Sequence, residues 1–207
     1  MCSSDLKIQD VVGGKLDILV DANQAQSPYP WQAGVIWDLE RAKRMNQKMH
    51  ELGCYWLEEP RPRYNFDELS ELVSMNMTKI SGGENNTVVS DFHEMVNKNS
   101  YDILQPESMV MGGITPLIEI GEISKKYNKE IVPHHGGGDL GVVAHMHLLA
   151  TWNNAPYCEM LNDPPLSSYK NKFFIFNEDL NVKDGIINVP NSPGLGVTIK
   201  EDLIIRE

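Results

Sequence analysis

The sequence predicts a parallel α/β fold, and three observations carry that expectation. Short apolar runs recur along the chain, each ending in polar residues. An amphipathic stretch follows each run. The two alternate with a near-constant period. Near-continuous apolar runs of this length suit strands buried on both faces, as parallel sheets require. Strand–helix alternation on such a period means βαβ units.

The predicted strands, in order, are LDILVDAN (16–23), CYWLEEP (54–60), TKISGGEN (78–85), YDILQPE (101–107), KEIVPHH (129–135) and YCEML (157–161). Between them, DLERAKRMNQKMHELG (38–53) is a predicted helix with Asp38 as N-cap and Gly53 just past its end. Its apolar stripe is Leu39, Ala42, Met45, Met49 and Leu52. NFDELSELVSMN, SDFHEMVNKN, TPLIEIGEISKKYN and LGVVAHMHLLATWN are the next helices, with Ser90 and Thr115 as expected caps. Six such strands in a row favour a barrel over a doubly wound sheet, and no glycine-rich nucleotide fingerprint follows any of them. A full eight-stranded barrel takes about 250 residues, so the chain is short by roughly two units.

Composition narrows the function classes. The 207 residues are 41% hydrophobic and 23% charged, enough for a sizeable core. A net charge of −11 argues against nucleic acid and anionic membranes as partners. No apolar run is long enough to span a bilayer. Three cysteines, Cys2, Cys54 and Cys158, have no framework spacing, so a reducing, cytoplasmic setting is expected, with Cys54 and Cys158 as core residues.

In parallel α/β folds chemistry gathers at the C-terminal ends of the strands. The polar residues there are Asp21, Glu58, Glu84, Glu107, His134 and Glu159, spaced by 37, 26, 23, 27 and 25 residues. Any one of these acids alone is better read as a surface carboxylate. Three at successive strand ends are not. Facing carboxylates raise one another's pKa unless a cation neutralises them, and Mg²⁺ takes oxygen donors. The expectation is a Mg²⁺ site of Asp21, Glu58 and Glu84. Strand alternation sends Glu59 the other way, so only one acid of the pair should reach the ion. Asn23 shares the strand face of Asp21 and is placed to bond a substrate hydroxyl, or simply to shape the turn. Tyr29, Trp31 and Trp37 line the mouth or pack beneath it. Gly136, Gly137 and Gly138 form a loop suited to close approach of an anion. His145 and His147, two apart on a helix, do not form a metal pair.

VDAN, WLEEP, GGEN, QPESMVMGGIT and VPHHGGG, in this order and spacing, resemble the mandelate racemase branch of the enolase superfamily. The resemblance runs from about residue 7 to the C-terminus, and NVKDGIINVPNSPGLGVTIKEDLI resembles the family's closing segment. It implies a modified TIM-type (β/α) barrel with an N-terminal capping domain. It also implies Mg²⁺-assisted removal of the proton α to a carboxylate. By the resemblance, Asp21, Glu58 and Glu84 are the metal ligands and His134 is the general base, oriented by Glu107 where the family usually has Asp. Glu159 is a protonated acid that bonds the substrate carboxylate. His135 is the second histidine of the same strand end, a candidate substrate contact that alternation turns away.

The fourth strand shows no lysine at its end, which argues against the muconate-lactonising and dipeptide-epimerase branches. The expected activity is dehydration of an acid sugar to a 2-keto-3-deoxy acid. The alternatives are racemisation or epimerisation of a 2-hydroxy acid, with a second base on a strand outside this chain, or an inert fragment. Homo-oligomers are common in the family. The capping domain and first barrel strands are absent from the sequence. MCSSDL back-translates to a sequence resembling a DNA-sequencing adapter end. Residues 1–6 are therefore expected to be a non-native leader, with the barrel portion at 7–207.

Overall fold

A computed structural model of the chain describes residues 14–25, 35–135, 139–165 and 168–204, with Ile8 and Val11 besides. The expected leader, Cys2, Tyr29, Trp31 and Gly136 to Gly138 lie outside the described residues.

The first strand, β1, is Leu19–Asp21, followed by helix α1, Leu39–Glu51. Then come β2 (Trp56–Glu58), α2 (Phe66–Ser74), β3 (Lys79–Gly82), α3 (Val89–Asn97), β4 (Ile103–Leu104), the short α4 (Ser108–Met111), α5 (Ile114–Lys126), β5 (Glu130–Ile131) and α6 (Asp139–Leu149). A short α7 (Tyr169–Lys172) and a 3₁₀ turn (Glu201–Leu203) lie in the tail. The five strands form one parallel sheet in the order of the chain, β1-β2-β3-β4-β5. That order, with no reversal, is the one a barrel wall takes and not the one a doubly wound sheet takes.

The inner strands β2 to β4 are buried on both faces, whereas β1 at the edge is partly exposed. Leu57, Ile80, Leu104 and Ile131 point to the helices and are at most 1% exposed. They pack with Leu69, Leu72, Phe92, Met95, Leu117 and Ile120 in the main core. Each such side chain contributes ~1.5–3 kcal/mol by leaving water. Trp56, Ile103 and Val132 cluster on the opposite, inner face.

Helix α1 follows its sequence signals. Asp38 accepts the Arg41 amide at 2.7 Å, and Gly53 takes φ +69° just beyond the end. Two expected caps are displaced. Ser90 lies inside α3 behind Val88, and Thr115 lies inside α5 behind Gly113. In both cases the backbone turns one residue or more earlier than the capping side chain.

The expected sixth strand does not form. Residues 157–161 are irregular, and the nearest ladder-like bond is the Ile131 amide donating to Asn154 at 3.1 Å. Cys158 and Met160 are instead drawn into a second core, built on Val142, Val143 and Met146 of α6 with Phe173 and Phe176. Leu180, Ile187, Val189, Leu195 and Val197 of the tail complete it. The segment still crosses the entrance of the sheet. Tyr157 packs edge-on to Tyr55 at 5.4 Å, and its hydroxyl donates to Asp17 at 2.5 Å, just ahead of β1. Cys54 is buried and Cys158 half-buried. No helix among the described residues is long and apolar enough to cross a membrane.

Candidate metal and proton-transfer site at the strand ends

The register builds the site. Asp21 and Glu58 end adjacent strands and are paired across the ladder, and Ser81 is the partner of Glu58 on β3. Glu58 shares the inner face with Trp56 by the two-residue alternation of a strand. Glu84 lies two residues past β3, after Gly83. Gly83 has φ +122°, and a Cβ there would meet Phe92 at 2.9 Å. That turn swings Glu84 back over the strand ends.

Asp21 and Glu58 both resist ionisation. Glu58 is pushed up to about 8, first by burial and then by the charges of Asp21, Glu159 and Glu84, with Gln105 opposing. Asp21 borders solvent, yet its carboxyl is raised to about 6, by loss of surrounding water and then by Glu84, against the amide of Asn23. Oxygen-only donors crowded with like charge fit a hard divalent cation. Among the described residues the oxygens of Asp21, Glu58 and Glu84 do not all come within 4.8 Å of one another, so the strand ends gather these acids without closing them into a ligand set.

Glu59 is the other acid of the pair. It lies beyond the last strand residue with φ +43°, is 1% exposed, and is raised to about 8 by burial and then by Glu84 and Asp21. Among the described residues its Oε2 has no hydrogen-bond partner. The charges of Glu84 and Asp21 act on it, as does Arg63, and its own charge acts on Tyr101 in the main core. Asn23, at φ +51°, donates its backbone amide to Asp21 at 2.8 Å and its side-chain amide to the other oxygen. It shapes the turn and holds the Asp21 carboxylate at once. The Trp37 amide donates to Gln24 at 2.7 Å, and its ring packs on the main core beneath Arg41.

His134, three residues past β5, stands among the acids. Its Nε2 is 3.1 Å from Glu84 and 3.9 Å from Glu159, and its Nδ1 is 3.4 Å from Glu107. Burial alone would lower His134, but Glu107, Glu159 and Glu84 outweigh it and raise it to about 9. Glu107 caps α4 by accepting the Met109 amide at 3.0 Å. Burial opposes its charge, yet His134, His135 and that amide hold it well below the usual carboxylate range. Glu159 is raised, chiefly by burial. His135 turns inward, 3.5 Å from Glu107 and almost fully buried.

Sequence reasoning missed His145. From α6 its Nε2 comes within 3.6 Å of Glu107, while His147 faces the tail and Leu195 at 3.0 Å. The i, i+2 spacing showed that the two diverge; it carried no signal of which one meets Glu107.

Fold and site together define a parallel α/β protein of the barrel type, with carboxylates and a histidine gathered where the strands end. The chain belongs to the enolase C-terminal domain-like family, whose profile matches residues 6–203. It is 28% identical over 204 residues to the L-talarate/galactarate dehydratase of Salmonella typhimurium, covering 97% of this chain and 45% of that protein. It is 29% identical over 194 residues to the arabinonate dehydratase of Saccharolobus solfataricus, covering 94% and 48%. A chloromuconate cycloisomerase of Cupriavidus necator is 27% identical over 95% of the chain and 50% of its own length. The crystal structure of L-talarate dehydratase from a Polaromonas species, complexed with Mg and L-glucarate, superposes with a TM-score of 0.77 at 26% identity, covering 96% of this chain and 47% of that one. The chain spans about half the length of the curated relatives it matches.

Proposed function

We propose that this chain carries the metal- and proton-handling half of an acid-sugar dehydratase, a lyase that converts an acid sugar to a 2-keto-3-deoxy acid. The observation that carries the reading is the placement of His134 between Glu107 and Glu159, within reach of the acid cluster of Asp21, Glu58 and Glu84. The names of the dehydratase relatives support the substrate class.

Mg²⁺ held by Asp21, Glu58 and Glu84 would supply charge neutralisation and electrophilic stabilisation of the substrate carboxylate as negative charge develops there. His134 takes the α-proton. It becomes a base near neutral pH once the charge of Glu84 is engaged elsewhere, because that charge is one of those holding the imidazolium. Glu107 orients the ring from its Nδ1 side. The α C–H bond breaks toward His134, and the β C–O bond breaks as His134 returns a proton to the leaving hydroxyl. Water leaves, and the enol relaxes to the ketone. Glu159, raised by burial, donates a hydrogen bond to the substrate carboxylate while protonated. Asn23 keeps the Asp21 carboxylate in place.

The test is a panel of aldonates and aldarates with Mg²⁺ in D₂O, read for 2-keto-3-deoxy acid and for deuterium at the α-carbon. Keto acid from the wild type and none from His134→Asn is the expected result. Exchange with inversion and no keto product would point to a racemase or epimerase. Mg²⁺ binding with neither exchange nor product would mark an inert remnant.

A further inference from the structure

Glu107 faces three histidines, and only His134 has a part in the chemistry above. On its other side, His135 Nδ1 is 3.5 Å from Oε2 and His145 Nε2 is 3.6 Å from Oε1. Glu107, His135 and His145 are 6%, 1% and 2% exposed. One ligand-type atom from each lies within 4.8 Å of the other two. The two rings meet edge to face at 5.7 Å, and α6 closes on them through Gly141, where a Cβ would strike His135 at 2.7 Å.

The donors are two imidazole nitrogens and one carboxylate oxygen. That set suits a borderline ion such as Zn²⁺ and is poor for Mg²⁺, which takes oxygen. Zinc bonds of about 2.1 Å in a tetrahedron put neighbouring donors ~3.4 Å apart, close to the two separations observed. His145 Nε2 accepts the Ser108 amide at 3.3 Å, a long bond that an ion bound at this nitrogen would displace. The other ring nitrogen of His145 is buried with no hydrogen-bond partner among the described residues.

We propose that Glu107, His135 and His145 form a second divalent-cation site, selective for a zinc-class ion over Mg²⁺. An ion there engages the carboxylate that also supports His134, so it inhibits proton transfer; this consequence alone rests on the proposed function.

Co²⁺, a spectroscopic stand-in for zinc, is titrated into the full chain in excess Mg²⁺, following visible absorption. The wild type and Glu84→Gln should each bind one equivalent with tetrahedral-type bands, and His145→Gln should lose at least tenfold in affinity. Unchanged binding in His145→Gln, loss in Glu84→Gln, or no band in the wild type overturns the site. X-ray absorption on the wild-type Zn²⁺ complex needs no variant. It should show two imidazoles at about 2.0–2.1 Å, and an oxygen-only shell refutes the assignment. Failure of the dehydratase reading would leave these results unaltered.

Discussion

Asp21 and Glu58 are register partners on β1 and β2, so the parallel ladder itself sets two carboxylates side by side. Neither gains from that neighbour without a cation, and both are raised above their usual range. The arrangement trades ease of ionisation for readiness to bind one.

Mg²⁺ affinity should therefore depend on all three strand-end acids. Calorimetry on the wild type should show one Mg²⁺ equivalent, and Glu84→Gln should weaken it at least tenfold, ~1.4 kcal/mol. Equal affinity in the two proteins would remove Glu84 from the ligand set.

Proton abstraction and metal binding should separate at His134. His134→Asn is expected to lower α-proton exchange by about 10²–10⁴-fold, the usual contribution of a positioned base. Its Mg²⁺ isotherm should stay close to that of the wild type. A variant that loses both has lost the site and not the base.

Glu107 should contribute to stability in a pH-dependent way. Its folded pKa is depressed, so the contribution is fully present above the unfolded carboxylate value, about 4.3, and is lost as pH falls below it. Urea denaturation from pH 7 to pH 3 should show a gap between the wild type and Glu107→Gln that narrows on acidification. A gap that widens toward acid would mean Glu107 is not held charged by its histidines.

Gly83→Ala should hurt both fold and site. A Cβ there meets Phe92 at 2.9 Å in a backbone conformation with φ +122°, at a cost of ~1–3 kcal/mol or more. Denaturant midpoints should fall, and Mg²⁺ affinity should fall with them because Gly83 aims Glu84. Loss of neither would show that the turn relaxes freely.

Asn46 is a polar side chain buried in α1 whose oxygen accepts the Thr78 amide at 3.1 Å, tying the helix to the start of β3. Asn46→Ala should destabilise the chain by ~1–3 kcal/mol, the cost of an orphaned buried donor. A shift below about 0.5 kcal/mol in the urea-derived stability, the usual limit for a surface change, would show that water replaces it.

The alternation of apolar runs with amphipathic stretches determined the parallel α/β architecture. The polar residue closing each run singled out Asp21, Glu58, Glu84, Glu107, His134 and Glu159, because a strand's last side chain on the inner face has one place to go. Periodicity is local, so it survives in the sequence. It ends where the ladder ends, so the positive φ of Glu59, a property of the turn, left no trace in it. Residues 157–161 read as a strand by composition, but the second core competed for Cys158 and Met160 and prevailed. The meeting of His145 with Glu107, 38 positions apart in the chain, came from the packing of α6 against α4 alone. What the sequence by itself determined was the five strands that form and the polar residues that follow each of them. What only the tertiary structure decided was which of them touch, because contact between distant residues depends on how elements pack and not on the pattern within any one of them.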